Sequence, residues 1–503
     1  MNERKIGAIL SYLNILIQAI VGFLYVPILL YYMGKSEYGL YQLMGSLIAY
    51  FSVMDFGLTS STIRSYIHYK TQGNIDKLEN FLAMTQRIYI VICIFIIFIA
   101  SIVYIFLDNI FNNSLNQQEI IQAKNIFILL MFNLIITFLG MVYRSVITAN
   151  EKFLFIKGIE TLQLIFQPFM VIAVMQISPT AMAMVCVMTI INIVLTVVRM
   201  IYCYKKINLK MKYQYWDTVA FKEMKSLALS VFIVTVVDQI FWKTNQIVLG
   251  IISGTVAVAI YSIASLIYMN YMALSTAIAG VYLPKITQLV AKNSSENILF
   301  DEFLRIGRLQ YYILAFVYSS FYIFGKEFII LWTNDSFVDA YYITLIIILP
   351  FTIDLIQNVA GIIMKAKNIY GYRAKIYLLI GIINMFLSII LAKYYGAIGC
   401  AVACGTSIFL SNVIMNLYYK KYLRLDIKKF WIQIARISLF IIICIFTGSI
   451  LDYLLNYLFE LSIKLLAVKI IIYTLLFFII MWYTSFNFYE KNICIKLKRK
   501  IFQ

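Results

Sequence analysis

Charge is scarce in this chain: only 13% of its 503 residues are Asp, Glu, Lys or Arg, about half the share of an ordinary soluble domain. Histidine occurs once, at His68 in a polar loop, and no HExxH pair or Ser/His/Asp set can be assembled. Proline occurs five times, as suits long helices. The seven cysteines form no CxxC pair, which argues against a metal or disulfide framework. Gly34-Lys35-Ser36 has the ending of a phosphate-binding loop, but the required glycine five positions earlier is Leu29. No ATP site and no enzyme are therefore expected. No polar stretch is long enough to fold as a soluble domain or to carry the acidic catalytic loop of a membrane glycosyltransferase.

Apolar residues fill the space that charge leaves, making up 63% of the chain. Runs of about 20 apolar residues, each enough for a ~30 Å hydrocarbon core, recur from end to end. We place fourteen spans at 8–32, 39–62, 84–107, 125–148, 158–177, 180–203, 226–250, 256–281, 308–331, 339–364, 374–393, 397–419, 433–454 and 466–487. The fifth and sixth are separated only by the turn Ile177-Ser178-Pro179-Thr180. The first run is too long for a signal peptide and lacks a small-residue cleavage site, so it reads as a spanning helix. The expected fold is an all-α polytopic membrane protein.

The net charge of +19 is topological on this reading. Allotted to alternate sides, 35 of the 42 Lys and Arg residues fall on the side of the N-terminus, six on the other, and Lys243 inside a span. Such a split predicts cytoplasmic termini. The basic tail KNICIKLKRK suits anionic lipid, and no nucleic-acid partner is expected.

The chain echoes itself. Gly34 and Tyr41 of MGKSEYGLYQLMGSLIAY align with Gly254 and Tyr261 of SGTVAVAIYSIASLIYMN. ITANEKF from Ile147 aligns with IMKAKNIY from Ile363, and YKKINLK from Tyr204 with YKKYLRL from Tyr419. These offsets divide the chain into an N-lobe (1–212), a C-lobe (213–425) and two accessory helices with the tail (426–503). Six spans per lobe is an even number, which predicts a pseudo-twofold along the membrane normal, an architecture of secondary transporters.

Polar residues break the apolar pattern in stripes. On the seventh span, Asp238, Gln239, Lys243, Asn245 and Gln246 share an arc of about 160° at 100° per residue. The first span carries Ser11, Asn14, Gln18 and Gly22; the fourth Asn133, Thr137 and Arg144; the fifth Glu160, Gln163 and Gln167; the tenth Asp354, Gln357 and Asn358 after Pro350, where we expect a kink. The second carries Asp55 and Arg64. Amides in such stripes often only join helices. Charges inside a membrane are costly and generally functional, which singles out Asp238, Lys243 and Asp354.

The segment PILLYYMGKSEYGLYQLMGSLIAYFSVMDFGLTSSTIRSY, residues 27–66, resembles the opening of bacterial polysaccharide flippases of the multidrug/oligosaccharidyl-lipid/polysaccharide exporter superfamily. The features are a proline-ended first helix, a G-x-x-x-Y-G-L-Y turn and a D-x-G-L-x-x-S-x-x-R second helix. The resemblance implies translocation of an undecaprenyl-diphosphate-linked oligosaccharide from the inner to the outer leaflet of the plasma membrane by alternating access, for capsule, O-antigen or exopolysaccharide. It implies a monomer, contacts with membrane lipids, and assembly proteins such as a polymerase as partners. Carried over, Arg64 matches the second-helix arginine and Lys243 takes the part of the seventh-helix cation; with Arg144, Asn14, Gln18, Gln239, Asn245 and Gln246 of the polar stripes, they are the residues expected to line the substrate cavity. Asp238, Asp354 and Asp55 are candidates for coupling to protons or sodium, with no other cofactor. The first span departs from the pattern in having Asn14 and Gln18 but no cation in the bilayer. The alternative is a cation-coupled multidrug exporter of the same superfamily, for which Asp238 and Asp354 could serve.

Overall fold

The computed structural model describes residues 3–492 and 495, with side chains except at 4–6, 8, 9, 12, 226–231, 233 and 234. The side chains of Arg4 and Lys5, and the residues Lys496, Lys498, Arg499, Lys500 and Cys494, lie outside that description. Every regular element among the described residues is helical.

Eleven helices among the described residues are long and apolar enough to cross a membrane. Two are of double length. The first is α1 (Glu3–Ser52), which bends at Gly34 (φ 72°) and continues through a one-turn 3-10 segment (Val53–Asp55) into α2 (Leu58–Thr71). The other is α12 (Gly371–Tyr422), which bends at Gly396 (φ 53°). Left-handed backbone of this kind suits glycine because a Cβ would crowd the following carbonyl. With the 35-residue α7 (Thr218–Ile252), these resolve into fourteen spanning segments, as the sequence predicted.

Contacts divide the chain into two compact units, Met1–Ser262 and Ile263–Gln503. The first holds α1, α2, α3 (Ile75–Phe111), α4 (Gln117–Ala149), α5 (Phe153–Met175), α6 (Ala181–Lys206), α7 and the start of α8 (Gly254–Ala291). Within it α4 packs on α6, α1 on α5, and α7 on α1 and α2. Side chains close the helix ends that would otherwise expose unpaired N–H groups. Asn116 and Glu119 form a capping box on α4, and Thr180 caps α6 directly after the predicted tight turn. α1 approaches α8 closely: a Cβ on Gly39 would lie 1.9 Å from the Thr255 carbonyl oxygen.

The second unit holds the rest of α8, with α9 (Glu296–Trp332), a 3-10 turn (Asp335–Phe337), α10 (Asp339–Ile356), α11 (Asn358–Ala366), α12, α13 (Ile427–Leu458) and α14 (Ile463–Thr484). α10 packs on α9 and α12. The accessory helices α13 and α14 bury Ile437, Ile441, Cys444, Leu466, Tyr473 and Phe477 against Tyr312 and Phe324 of α9.

Two breaks differ from expectation. The tenth span is interrupted at Gln357, not at Pro350, which stays inside α10. The second span is interrupted at Phe56 (φ 49°) and Gly57 (φ 70°), so Asp55 sits at a helix end rather than mid-helix. The D-x-G-L motif is thus a helix break, with its glycine supplying the left-handed step.

The repeat is written into the turns. Gly34 and Gly254, paired in the sequence, are both left-handed, at φ 72° and 80°. So are Gly73 and Asn293 (69° and 51°), Glu151 and Asn368 (57° and 58°), and Asn208 and Arg424 (55° and 53°). The hydrogen bonds also repeat: Leu209 N–H reaches Cys203 O at 3.0 Å, and Leu425 N–H reaches Tyr419 O at 3.3 Å.

Candidate functional site

The polar arc of α7 splits by depth. Asn245 and Gln246, 1% and 2% exposed, are packed inside the first unit. Asn245 Nδ2 donates to Tyr261 Oη at 2.8 Å; Gln246 Nε2 donates to Ser262 Oγ at 3.1 Å and its Oε1 accepts from Ser46. Tyr50 and Thr244 share a hydroxyl bond at 2.5 Å. These groups join α7 to α1 and to the head of α8, so here the helix-joining role of amides holds.

Half a turn and more toward the start of α7 the character changes. Asp238 is exposed, and Lys243 and Gln239 are half-buried. Among the described residues Lys243 makes no hydrogen bond or ion pair, and Gln239 Oε1 is buried without a partner. A lysine partly withdrawn from water with no partner is costly to keep charged. Arg64 on α2 and Gln18 on α1 are exposed as well.

The remaining predicted residues are engaged. Asn14 is buried, accepting from Thr161 Oγ1 at 2.6 Å and donating to Lys157 O at 3.4 Å, which ties α1 to α5. Arg144 donates to Glu160 Oε1 at 2.7 Å, joining the fourth-span stripe to the fifth. Asp55 accepts from Tyr89 Oη at 2.7 Å and Thr59 Oγ1 at 3.0 Å, across the helix break. Asp354 is held by Arg373, whose Nη2 lies 2.9 and 3.2 Å from its oxygens, and by Tyr377 Oη at 2.7 Å. A carboxylate paired so closely has its charge matched within the protein. Gln357 and Asn358 bridge the adjoining break to Asn416 and Ser275, at 2.8 and 3.0 Å.

Three features were not anticipated from the sequence. Lys469, counted as an outer-loop cation, is instead 0% exposed in α14. Its Nζ donates to Glu327 at 2.8 Å, Asp452 at 2.6 Å and Asn456 at 2.6 Å. Arg308 in α9 grips Glu490 with Nε at 2.7 Å and Nη2 at 3.0 Å, and reaches Gln433 on α13 at 3.0 Å. These buried bonds fasten α13 and α14 to α9 near both ends. Lastly, Arg199 on α6 is within electrostatic reach of Arg144 and Glu160.

The described residues form an all-helical, multi-pass membrane protein with charged side chains placed inside its helices. The fold agrees with solved transporters. A structure of "Lipid II flippase MurJ, inward closed conformation" superposes with a TM-score of 0.74 at 16% identity, covering 94% of this chain and 97% of that one. An inward-facing multidrug resistance MATE family transporter of the MOP superfamily gives 0.66 at 9% identity, covering 81% and 95%. A MOP superfamily transporter from Pyrococcus furiosus gives 0.56 at 10%, covering 85% and 97%. No curated protein sequence matches. The chain belongs to the polysaccharide biosynthesis protein family, whose model matches residues 6–290.

Proposed function

We propose that this protein moves an undecaprenyl-diphosphate-linked oligosaccharide from the inner to the outer leaflet of the bacterial plasma membrane, for surface polysaccharide synthesis. The observation that carries the reading is Lys243, half-buried and unpaired among the described residues, in a chain of the polysaccharide biosynthesis family. A diphosphate and its sugars cannot cross hydrocarbon alone, since each unpaired polar group costs several kcal/mol there. Lys243 and Arg64 offer charge-assisted bonds to the diphosphate, and Gln239 and Gln18 offer hydrogen bonds to sugar hydroxyls. The fold's likeness to a lipid II flippase is consistent with a lipid-linked cargo. Alternating access, with both termini cytoplasmic, completes the scheme. The multidrug-exporter alternative relies on membrane carboxylates, and it is disfavoured by the pairing of Asp354 with Arg373 and of Asp55 with two hydroxyls. Asp238 remains the candidate for ion coupling. The test is surface polysaccharide export in a deletion strain. The wild-type gene restores it, and Lys243→Ala, inserted at wild-type level, does not. Full export by that variant refutes the assigned role.

A further inference from the structure

Two cations bond one carboxylate where α4 ends and α5 begins, and a third, on α6, lies within electrostatic reach of it. Glu160 Oε1 accepts from Arg144 at 2.7 Å, and Oε2 accepts from Lys157 at 2.7 Å. Each oxygen thus already has a cationic partner. Arg199 lies within electrostatic reach of the same carboxylate and of Arg144, yet its Nε–H is buried with no partner among the described residues. The cluster carries three positive charges against one negative. Such an excess, with a buried donor left unmade, is unfavourable unless an anion completes it.

The surroundings set the depth. Tyr202, one turn beyond Arg199, stacks on Phe155 at the start of α5, with ring centroids 3.6 Å apart. Stacked aromatics beside Lys and Arg at the ends of spans mark the level of lipid headgroups. The cluster is open there, since the Arg144 side chain is 45% exposed. Arginine's planar fork matches phosphate oxygens two at a time.

We propose that Arg144, Lys157 and Arg199 form a binding site for the phosphate or diphosphate of a membrane lipid, with Glu160 as the internal anion that holds the cations in place between ligands. Two lipids supply this chemistry: a prenyl diphosphate, and an anionic phospholipid. The first deepens the flippase reading and rests on it, because Arg144 belongs to the proposed cavity set; the second does not. Arriving phosphate oxygens take the Arg199 donor and share Arg144 and Lys157 with Glu160.

The test measures binding without transport. Purified protein in neutral detergent is titrated with farnesyl diphosphate and, separately, with short-chain phosphatidylglycerol, using phosphatidylcholine as the zwitterionic control. Arg199→Gln removes no hydrogen bond among the described residues, and should weaken anionic-lipid binding about tenfold, the effect of losing one charge-assisted bond. Glu160→Gln removes the competing anion and should tighten binding, whereas a purely structural cluster predicts no tightening. Preference for farnesyl diphosphate supports the site with the cargo as its ligand. Preference for phosphatidylglycerol supports it with the bilayer as the source. Equal binding by wild type and Arg199→Gln for both lipids overturns it. Flipping measured on the same variants separates the two claims: weakened binding with unimpaired flipping keeps the site and removes it from the transport path.

Discussion

At the scale of single residues, burial decides which polar groups work and which only hold. Asn245 and Lys243 share the arc drawn from sequence, but Asn245 is 1% exposed and bonded, while Lys243 is half-buried and unpaired among the described residues. Helical arithmetic gives direction around an axis and says nothing of depth along it. Lys243→Ala is expected to lower flipping at least tenfold, with Lys243→Arg keeping most of it, because a charge-assisted bond contributes roughly 1.5–3 kcal/mol. Initial flipping rates of the two variants check this. A second prediction concerns glycine. Gly39→Ala places a methyl group 1.9 Å from a backbone oxygen that cannot swing aside, whereas Gly45 has nothing within 4 Å of its Cβ position. Overpacking of this kind costs ~1–3 kcal/mol or more. Size-exclusion profiles should show Gly39→Ala largely aggregated and Gly45→Ala folded.

At the scale of elements, buried ion pairs do what loops do in soluble proteins. Arg373 at the start of α12 holds Asp354 at the end of α10 and lies over Gly361 of α11, where a Cβ would meet its Nη1 at 2.6 Å. The pair therefore spans the helix break. Removing one partner leaves a buried charge, at a cost of about 3–5 kcal/mol, while replacing both with apolar residues is nearly neutral. Asp354→Leu and Arg373→Met should each lower the thermal midpoint in detergent, and the double variant should recover most of the loss. An additive double variant contradicts the clamp. Lys469, bonded to Glu327 and Asp452, plays the same part for α13 and α14. These partners were illegible in the sequence. Arg308 and Glu490 stand 182 positions apart, and no periodicity links them. Arg199 is illegible for a similar reason: one cation at a span end reads as topological. What would have flagged it is that Arg144, Lys157 and Glu160 also stand at ends of neighbouring spans.

At the scale of the whole molecule, the sequence was more informative. Fourteen apolar runs became fourteen helical segments because, in lipid, every backbone group must be satisfied internally, and runs of about 20 residues are the length a spanning helix needs, twice that of a barrel strand. The repeat was legible at Gly34 and Gly254 because a left-handed turn favours a particular residue, and the structure extends the pairing to Gly73 with Asn293 and Asn208 with Arg424. The breaks at Gln357 and Gly57 were not placed, since breaks buried among helices leave hydropathy unchanged. The proposed orientation carries its own prediction. In a cysteine-free background, Lys464→Cys should react with an impermeant maleimide in intact cells, and Lys77→Cys only after lysis. The reverse pattern would invert the membrane topology.

The central claim is movement of a lipid-linked oligosaccharide, and one measurement addresses it directly. Purified protein is reconstituted into liposomes carrying a fluorescent lipid-linked oligosaccharide, and exchange between leaflets is followed with a membrane-impermeant quencher. The account predicts rapid loss of the protected inner pool with wild type, and a rate near that of protein-free liposomes with Lys243→Ala. Equal rates for wild type, Lys243→Ala and empty liposomes would contradict it.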